Sequence, residues 1–280
     1  IGMGYLTEAG YTGQGLLTVL NKIRAKQWYG SDQIPTYLMT HPAVEDRLAY
    51  IDTYLAGRQK DSGSIQPVNT EAFRLMHARL MALYADEKAA LGKFEAAIKS
   101  GDADAITYYG YGLALARVGK REQAVAALKK ALETEAFNPT MLAALGRVYF
   151  LDTHYKEALG TLASALSLNP QEPEALFFLG RTHLELDQPA EAQAAFERLR
   201  QQEFVSRQVY YFLGKAYGQQ GKLAEAYVNL GEYYYLKHDY ANARIQFRQA
   251  LENIQDPDQR RYIEERLKEI KKILTALKER

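Results

Sequence analysis

Apolar residues along most of this chain recur three and four apart, and the pattern breaks at short intervals where a Gly or a polar pair interrupts it, as in "LARVGKREQAV", "YFLDTHYKEAL" and "YGQQGKLAEAY". That periodicity predicts amphipathic helices paired through short turns. The pairs repeat. Gly112, Gly146, Gly180 and Gly214 stand 34 residues apart, and Ala78 holds the same column one period earlier. Twelve residues after each comes an alanine (Ala90, Ala124, Ala158, Ala192, Ala226), and four further on a large apolar residue (Phe94, Leu128, Leu162, Phe196, Leu230). A small residue at a helix crossing lets two axes approach, and a large one fills the space beside it. The expectation is an all-α solenoid of helical hairpins over residues 71–255, about five to six units, with Asn138-Pro139 and Asn169-Pro170 marking unit ends because the residue before Pro is steered out of helix.

These columns, with Leu-Gly at 145–146, 179–180 and 213–214 and a mostly large column at Met81, Leu115, Tyr149, His183 and Tyr217, resemble the tetratricopeptide repeat (TPR). The signature then slips. Leu230-Gly231, Tyr234, Ala243 and Phe247 reproduce it 17 residues, half a period, beyond Gly214, Tyr217, Ala226 and Leu230. One helix, roughly Leu223 to Leu236, should therefore close one hairpin and open the next. Beyond it, Asp256-Pro257 is a helix-starting pair, and Ile263, Leu267, Ile270, Leu274 and Leu277 form one apolar stripe. Residues 256–280 read as a capping helix closing the solenoid; a dimerising coiled coil is the alternative, though short.

Composition narrows the partners. With 35 basic against 34 acidic residues the net charge is +1, too balanced to draw the chain onto nucleic acid or an anionic membrane. No apolar run approaches the roughly 18 to 20 residues of a membrane span. There is no cysteine, hence no disulfide and no thiolate chemistry. The chain opens at Ile1 inside a helical stretch, so it is expected to be a fragment whose true start, with any targeting signal, lies upstream.

Residues 57–70, "GRQKDSGSIQPVNT", read as a linker. Residues 1–56 hold helical segments outside the repeat and are too few for a domain of their own. Here "YLTEAGYTGQGLLTVLNKI" followed by "PTYLMTHPAVEDRLAYI" resembles the closing helices of the catalytic domain in BepA-like, HtpX-related zinc metallopeptidases, which carry a C-terminal TPR array. The most specific elements are Ala9-Gly10-Tyr11, Thr40-His41-Pro42 with Arg47, and "YGLALA" at Tyr111–Ala116. The resemblance implies a parent metalloendopeptidase with an HExxH motif and Zn2+ outside this chain, a periplasmic location and work in outer-membrane protein quality control. It leaves no catalytic residue and no metal site in the chain, which is expected to be inactive by itself. The five histidines never stand four apart, the spacing that would place two on one metal from one helix. His41 is either part of a helix cap, with Pro42 in the first turn and Glu45 and Asp46 at the positive end of the helix dipole, or a plug reaching the parent's zinc cleft.

The remaining candidate chemistry lies on the first helix of each pair, which lines the concave face of such a solenoid. The residue after each column position is Arg79, Leu113, Arg147, Arg181 and Lys215, and three before stand Leu75, Tyr109, Ala143, Phe177 and Tyr211. Cations beside rings suit a peptide, guanidinium groups taking carboxylates and flat rings taking side chains. The candidate peptide-binding residues are thus Arg79, Tyr109, Arg147, Phe177, Arg181, Tyr211 and Lys215, with Glu174 and Glu185 offsetting part of the row; the Tyr-rich face around Tyr233, Tyr234 and Tyr235 is the other candidate. The expected function is protein or peptide binding by the TPR region of a zinc metalloendopeptidase, with a stand-alone TPR scaffold or adaptor as the alternative.

Overall fold

The computed structural model describes residues 3, 5–6, 14–27, 44–58, 70–203 and 205–278. The chain divides into two compact units, residues 1–72 and 73–280. In the first, α1 (Gln14–Gln27) and α2 (Val44–Arg58) meet through Leu20, Leu48 and Ile51, with Met3 in the same cluster. Thr40, His41, Pro42 and most of the expected linker lie outside the described residues.

The second unit is the repeat array. Its helices are α3 (Glu71–Tyr84), α4 (Glu87–Lys99), α5 (Ala105–Arg117), α6 (Arg121–Leu132), α7 (Pro139–Leu151), α8 (Tyr155–Leu168), α9 (Pro173–Glu185), α10 (Pro189–Arg200), α11 (Arg207–Gln219), α12 (Leu223–Leu236), α13 (Tyr240–Asn253) and α14 (Pro257–Lys278). No strand occurs among the described residues. Several helices start where a short polar side chain takes an orphan backbone N–H: Asp86 from Ala89, Asp104 from Thr107, Asn138 from Met141 and Asp239 from Asn242. No described helix is long and apolar enough to cross a membrane.

The turn inside each hairpin is set by the backbone and shows the repeat again. Gly119, Thr153, Asp187 and Gly221, 34 residues apart, all have positive φ, from 55° to 80°. After each, a backbone N–H reaches back five residues to a carbonyl of the preceding helix: Lys120 to Leu115, His154 to Tyr149, Gln188 to His183 and Lys222 to Tyr217. This is the Schellman closure, which needs one left-handed residue. His238, at φ 61°, follows Gly221 by 17 residues, and Asp239 closes on Tyr234 in the same way. The half-period slip seen in side chains is therefore repeated in the backbone.

Packing confirms the double use of α12. A Cβ added to Gly112, Gly146, Gly180 or Gly214 would come within 2.6–2.8 Å of Leu128, Leu162, Phe196 or Leu230 respectively, always the residue 16 further on. Gly231 meets Phe247 of α13 at 2.7 Å by the same rule. Helix α12 thus supplies Leu230 as the filler for α11 and Gly231 as the receiver for α13. The array is an all-helical solenoid of TPR-type hairpins. At its end Ile263 and Ile270 of α14 are fully buried in a cluster with Phe247, Ala250 and Ile254 of α13 and its cap, with Leu267 and Leu274 packed beside them. Most of the apolar stripe of α14 is covered within the chain, as capping requires.

Gly180→Ala should lower stability by about 1–3 kcal/mol in urea unfolding, because Phe196 must move to admit the methyl group. Gly160→Ala, on an exposed position of α8 with open space around its Cβ, should leave stability unchanged or raise it by about 0.5–1 kcal/mol through helix propensity. Equal effects at the two sites would refute the crossing rule.

Candidate functional site

Three of the predicted residues come together around a carboxylate. Glu174, at the start of α9 and only 9% exposed, accepts from Arg79 of α3 at 2.7 Å and from Arg147 of α7 at 3.2 Å. Arg79 also donates to the hydroxyl of Tyr109 on α5, at 3.2 Å. Side chains from four first helices therefore converge, which places this row on one inner face. Burial alone would lower the pKa of Arg79, but the charge and hydrogen bonds of Glu174 and Tyr109 hold it above its ordinary value. Tyr109 is fully buried, and burial pushes its phenol up. It supports Arg79 from beneath and offers no ring to a ligand, contrary to the sequence expectation. Arg79 and Arg147 are likewise engaged inside the protein by Glu174, which the sequence named only as a partial offset.

Arg181 sits differently. Its guanidinium carbon is 4.4 Å from the ring centre of Phe150, 5.1 Å from Phe212, 5.4 Å from Phe178 and 5.7 Å from Phe177. Among the described residues no carboxylate lies within ion-pair distance of it. Burial holds its pKa below the ordinary arginine value, only partly offset by the charge of Glu185 one turn on. Cation–π attraction to four rings keeps the guanidinium in place, but rings supply no counter-charge. Phe177 is half-buried, meets Phe178, Phe196 and Phe212 at 5.4–6.2 Å, and acts as a wall of this seat. Phe150, Phe178 and Phe212 were missing from the sequence reading; the signal was the aromatic runs 177–178 and 210–212, one period apart.

Lys215, the next member of the cation column, is exposed and has no ion pair among the described residues. Tyr211 is 43% exposed and packs against Phe212 at 5.2 Å and Tyr233 at 5.3 Å. The groove thus has two parts, a closed charge cluster at Arg79, Tyr109, Arg147 and Glu174, and an open end at Arg181, Tyr211 and Lys215. Of the alternative tyrosine face, Tyr233 continues the open end, whereas Tyr235 gives its hydroxyl to Glu269 of α14 at 2.6 Å and belongs to another side.

The histidines within the described residues are engaged locally. His77 stacks on Phe73, His154 pairs with Asp152 at 3.1 Å, His183 bonds Gln188 at 2.7 Å and His238 bonds Tyr240 at 2.9 Å. No group of three His, Asp or Glu among the described residues is placed to hold a metal ion. In the amino-terminal unit an apolar pocket of about 600 Å³ is lined by Leu6, Leu16, Leu20 and Ile51, with Asp46 and Arg47 in its wall.

Glu174→Gln should cost about 3 kcal/mol in urea unfolding at neutral pH, since it removes the anion from between two largely buried guanidinium groups. A loss below about 1 kcal/mol would mean that the cluster behaves as an exposed ion pair.

Residues 112–173, 149–216 and 224–257 match tetratricopeptide repeat models. No curated protein matches the chain. Among solved structures, a crystal structure of MamA is 22% identical, the match covering 60% of this chain and 97% of MamA with a TM-score of 0.45. MamA from residue 41 to its end, from Desulfovibrio magneticus RS-1, is 19% identical over 61% of this chain and 96% of its own, with a TM-score of 0.47. YrrB, described as a TPR protein with an unusual peptide-binding site, is 24% identical over 61% of this chain and 97% of its own, with a TM-score of 0.43. The hairpins of this solenoid are tetratricopeptide repeats, a repeat that serves protein and peptide recognition.

Proposed function

We propose that the array is a peptide-recognition arm whose concave face takes an acidic segment of a partner protein at its open end. The observation that carries this reading is Arg181, a half-buried guanidinium on four phenylalanine rings with no carboxylate within ion-pair distance among the described residues, Glu185 acting on it only from one turn away. Withdrawing a charge from water without a counter-ion costs free energy, and a peptide carboxylate would restore the balance through charge-assisted hydrogen bonds. The surrounding rings keep water away from such a pair and so strengthen it. Lys215 extends the cationic track toward the rim, and Tyr211 adds flat contact area there. Arg79, Arg147 and Tyr109 act indirectly, holding the groove's inner wall in shape through Glu174.

An acidic peptide should bind the chain with an affinity that falls at least about tenfold, or about 1.4 kcal/mol, in Arg181→Gln, and further in Arg181→Gln with Lys215→Gln. Fluorescence anisotropy with peptides of matched length, acidic against amidated, reads the effect. Unchanged affinity in the double variant would remove the groove as the site. Single-stranded oligonucleotides should bind poorly, since two of the groove's four cations, Arg79 and Arg147, are already held by Glu174 and the chain's net charge is only +1.

For the parent protein the amino-terminal resemblance supports a zinc metalloendopeptidase of the periplasm, engaged in outer-membrane protein quality control, with this array presenting substrates or an assembly partner. In that reading the zinc is held by residues outside this chain, and His41 either caps α2 or closes the cleft. The second reading, a scaffold or adaptor without a protease, is equally compatible with the repeats. Elemental analysis of the protein made from its complete natural reading frame separates the two. About one zinc per chain is expected for the peptidase, and none leaves the adaptor.

A further inference from the structure

Because α12 belongs to two hairpins, the columns that line the first groove reappear on another side of the array. In the slipped frame the position after the column glycine is Glu232, and its counterpart 34 residues on is Arg266 of α14; three residues before stand Val228 and Tyr262. These four side chains help line a polar cavity of about 380 Å³ reached also by α10 and α11. On α11 the first groove uses Tyr211 and Lys215 while the cavity uses Tyr210 and Tyr217. At about 100° per residue those two directions lie about 130° apart around the helix axis. The cavity is a separate concavity, built from the same columns.

Its charges are not balanced. Glu197 takes the hydroxyl of Tyr217 at 2.7 Å and pairs with Arg200 at 2.7 Å. Glu232 takes the hydroxyl of Tyr262 and pairs with Arg266 at 3.0 Å. Two carboxylates are thus matched by two guanidinium groups. Burial, with the neighbouring carboxylates, pushes the phenols of Tyr217 and Tyr262 up to about 12, so both remain protonated donors tied to those carboxylates. Glu225, the third carboxylate in the wall, has no hydrogen bond or ion pair from its side chain among the described residues. Asn229, one turn later and 6% exposed, gives its amide N–H to the Glu225 carbonyl at 2.8 Å, and its amide oxygen finds no donor among the described residues. A carboxylate and an amide oxygen stand ready as acceptors between tyrosine walls.

We propose that this cavity receives an arginine side chain of a partner protein. The guanidinium supplies the missing positive charge, its several N–H groups serve Glu225 and Asn229 together, and its plane lies against the tyrosine rings. A cavity of this volume admits one long side chain and no folded element. The array would then grip two chemically opposite segments, an acidic one in the first groove and a basic one here.

The test uses the whole chain and a short neutral peptide with one central arginine, its citrulline counterpart, and isothermal titration. Saturable binding of the arginine peptide is expected, weakened at least about tenfold by citrulline and by Glu225→Gln, and unaffected by Arg181→Gln or by a saturating acidic peptide. Glu225 is partly exposed, so its replacement leaves the fold intact. Absence of saturable arginine-peptide binding, or equal affinity in Glu225→Gln, overturns the assignment. Loss of acidic-peptide binding in Arg181→Gln bears only on the first groove, so the two readings fail separately.

Discussion

Close approach of paired helices, glycine against a large apolar residue 16 positions later, is the constraint on which the array depends. Between Gly146 and Leu162, Gly180 and Phe196, Gly214 and Leu230, and Gly231 and Phe247 there is no room for even one more carbon. Each hairpin buries its own crossing, and its exposed apolar edge is covered by the next hairpin, so stability passes from neighbour to neighbour. The left-handed turn residues complete the unit by satisfying the carbonyls at the end of the first helix. Three of them, Thr153, Asp187 and His238, are not glycine; the closing backbone hydrogen bonds to Tyr149, His183 and Tyr234 hold these turns in a conformation that a side chain disfavours.

With the helices held this close, polar groups on the inner face must be partnered by residues far away in sequence. Glu174 is bound by an arginine 95 residues earlier and by another 27 residues earlier. The buried Nε of Arg147 is left without a partner, and through Arg79, Tyr109, Arg147 and Glu174 the cluster ties the first four hairpins to one another. Arg181, one column position further along, has exchanged the carboxylate for phenylalanine rings. The groove therefore changes character along its length, from closed and structural to open and cationic, although the column itself remains basic.

The half-period slip at α12 has the larger architectural effect. A regular array would have one concave face and one convex face throughout. Reusing a second helix as a first helix re-aims the inner columns, so Glu232, Tyr262 and Arg266 build a concavity on a side where α10 and α11 show their outer surfaces. Helix α14 then serves both as lid for the apolar core, through Ile263 and Ile270, and as wall of that concavity, through Tyr262 and Arg266.

The array's secondary structure, its period, the slip at Leu223–Leu236 and the closing helix were all legible in the sequence, because each rests on local spacing and on which residue size a crossing accepts. What a basic column position does was not legible. Arg79, Arg147 and Arg181 are equivalent by register, and only the tertiary structure brings Glu174 to the first two and four phenylalanines to the third, since those contacts join helices up to three units apart. Tyr109 shows the same limit: its column predicts an inward ring, but whether that ring lies under an arginine or faces a ligand depends on how far the solenoid curls. The spacing of residues decides the helices and their partners in sequence, whereas burial and counter-charge on the inner faces are collective, and the folded array alone decides them.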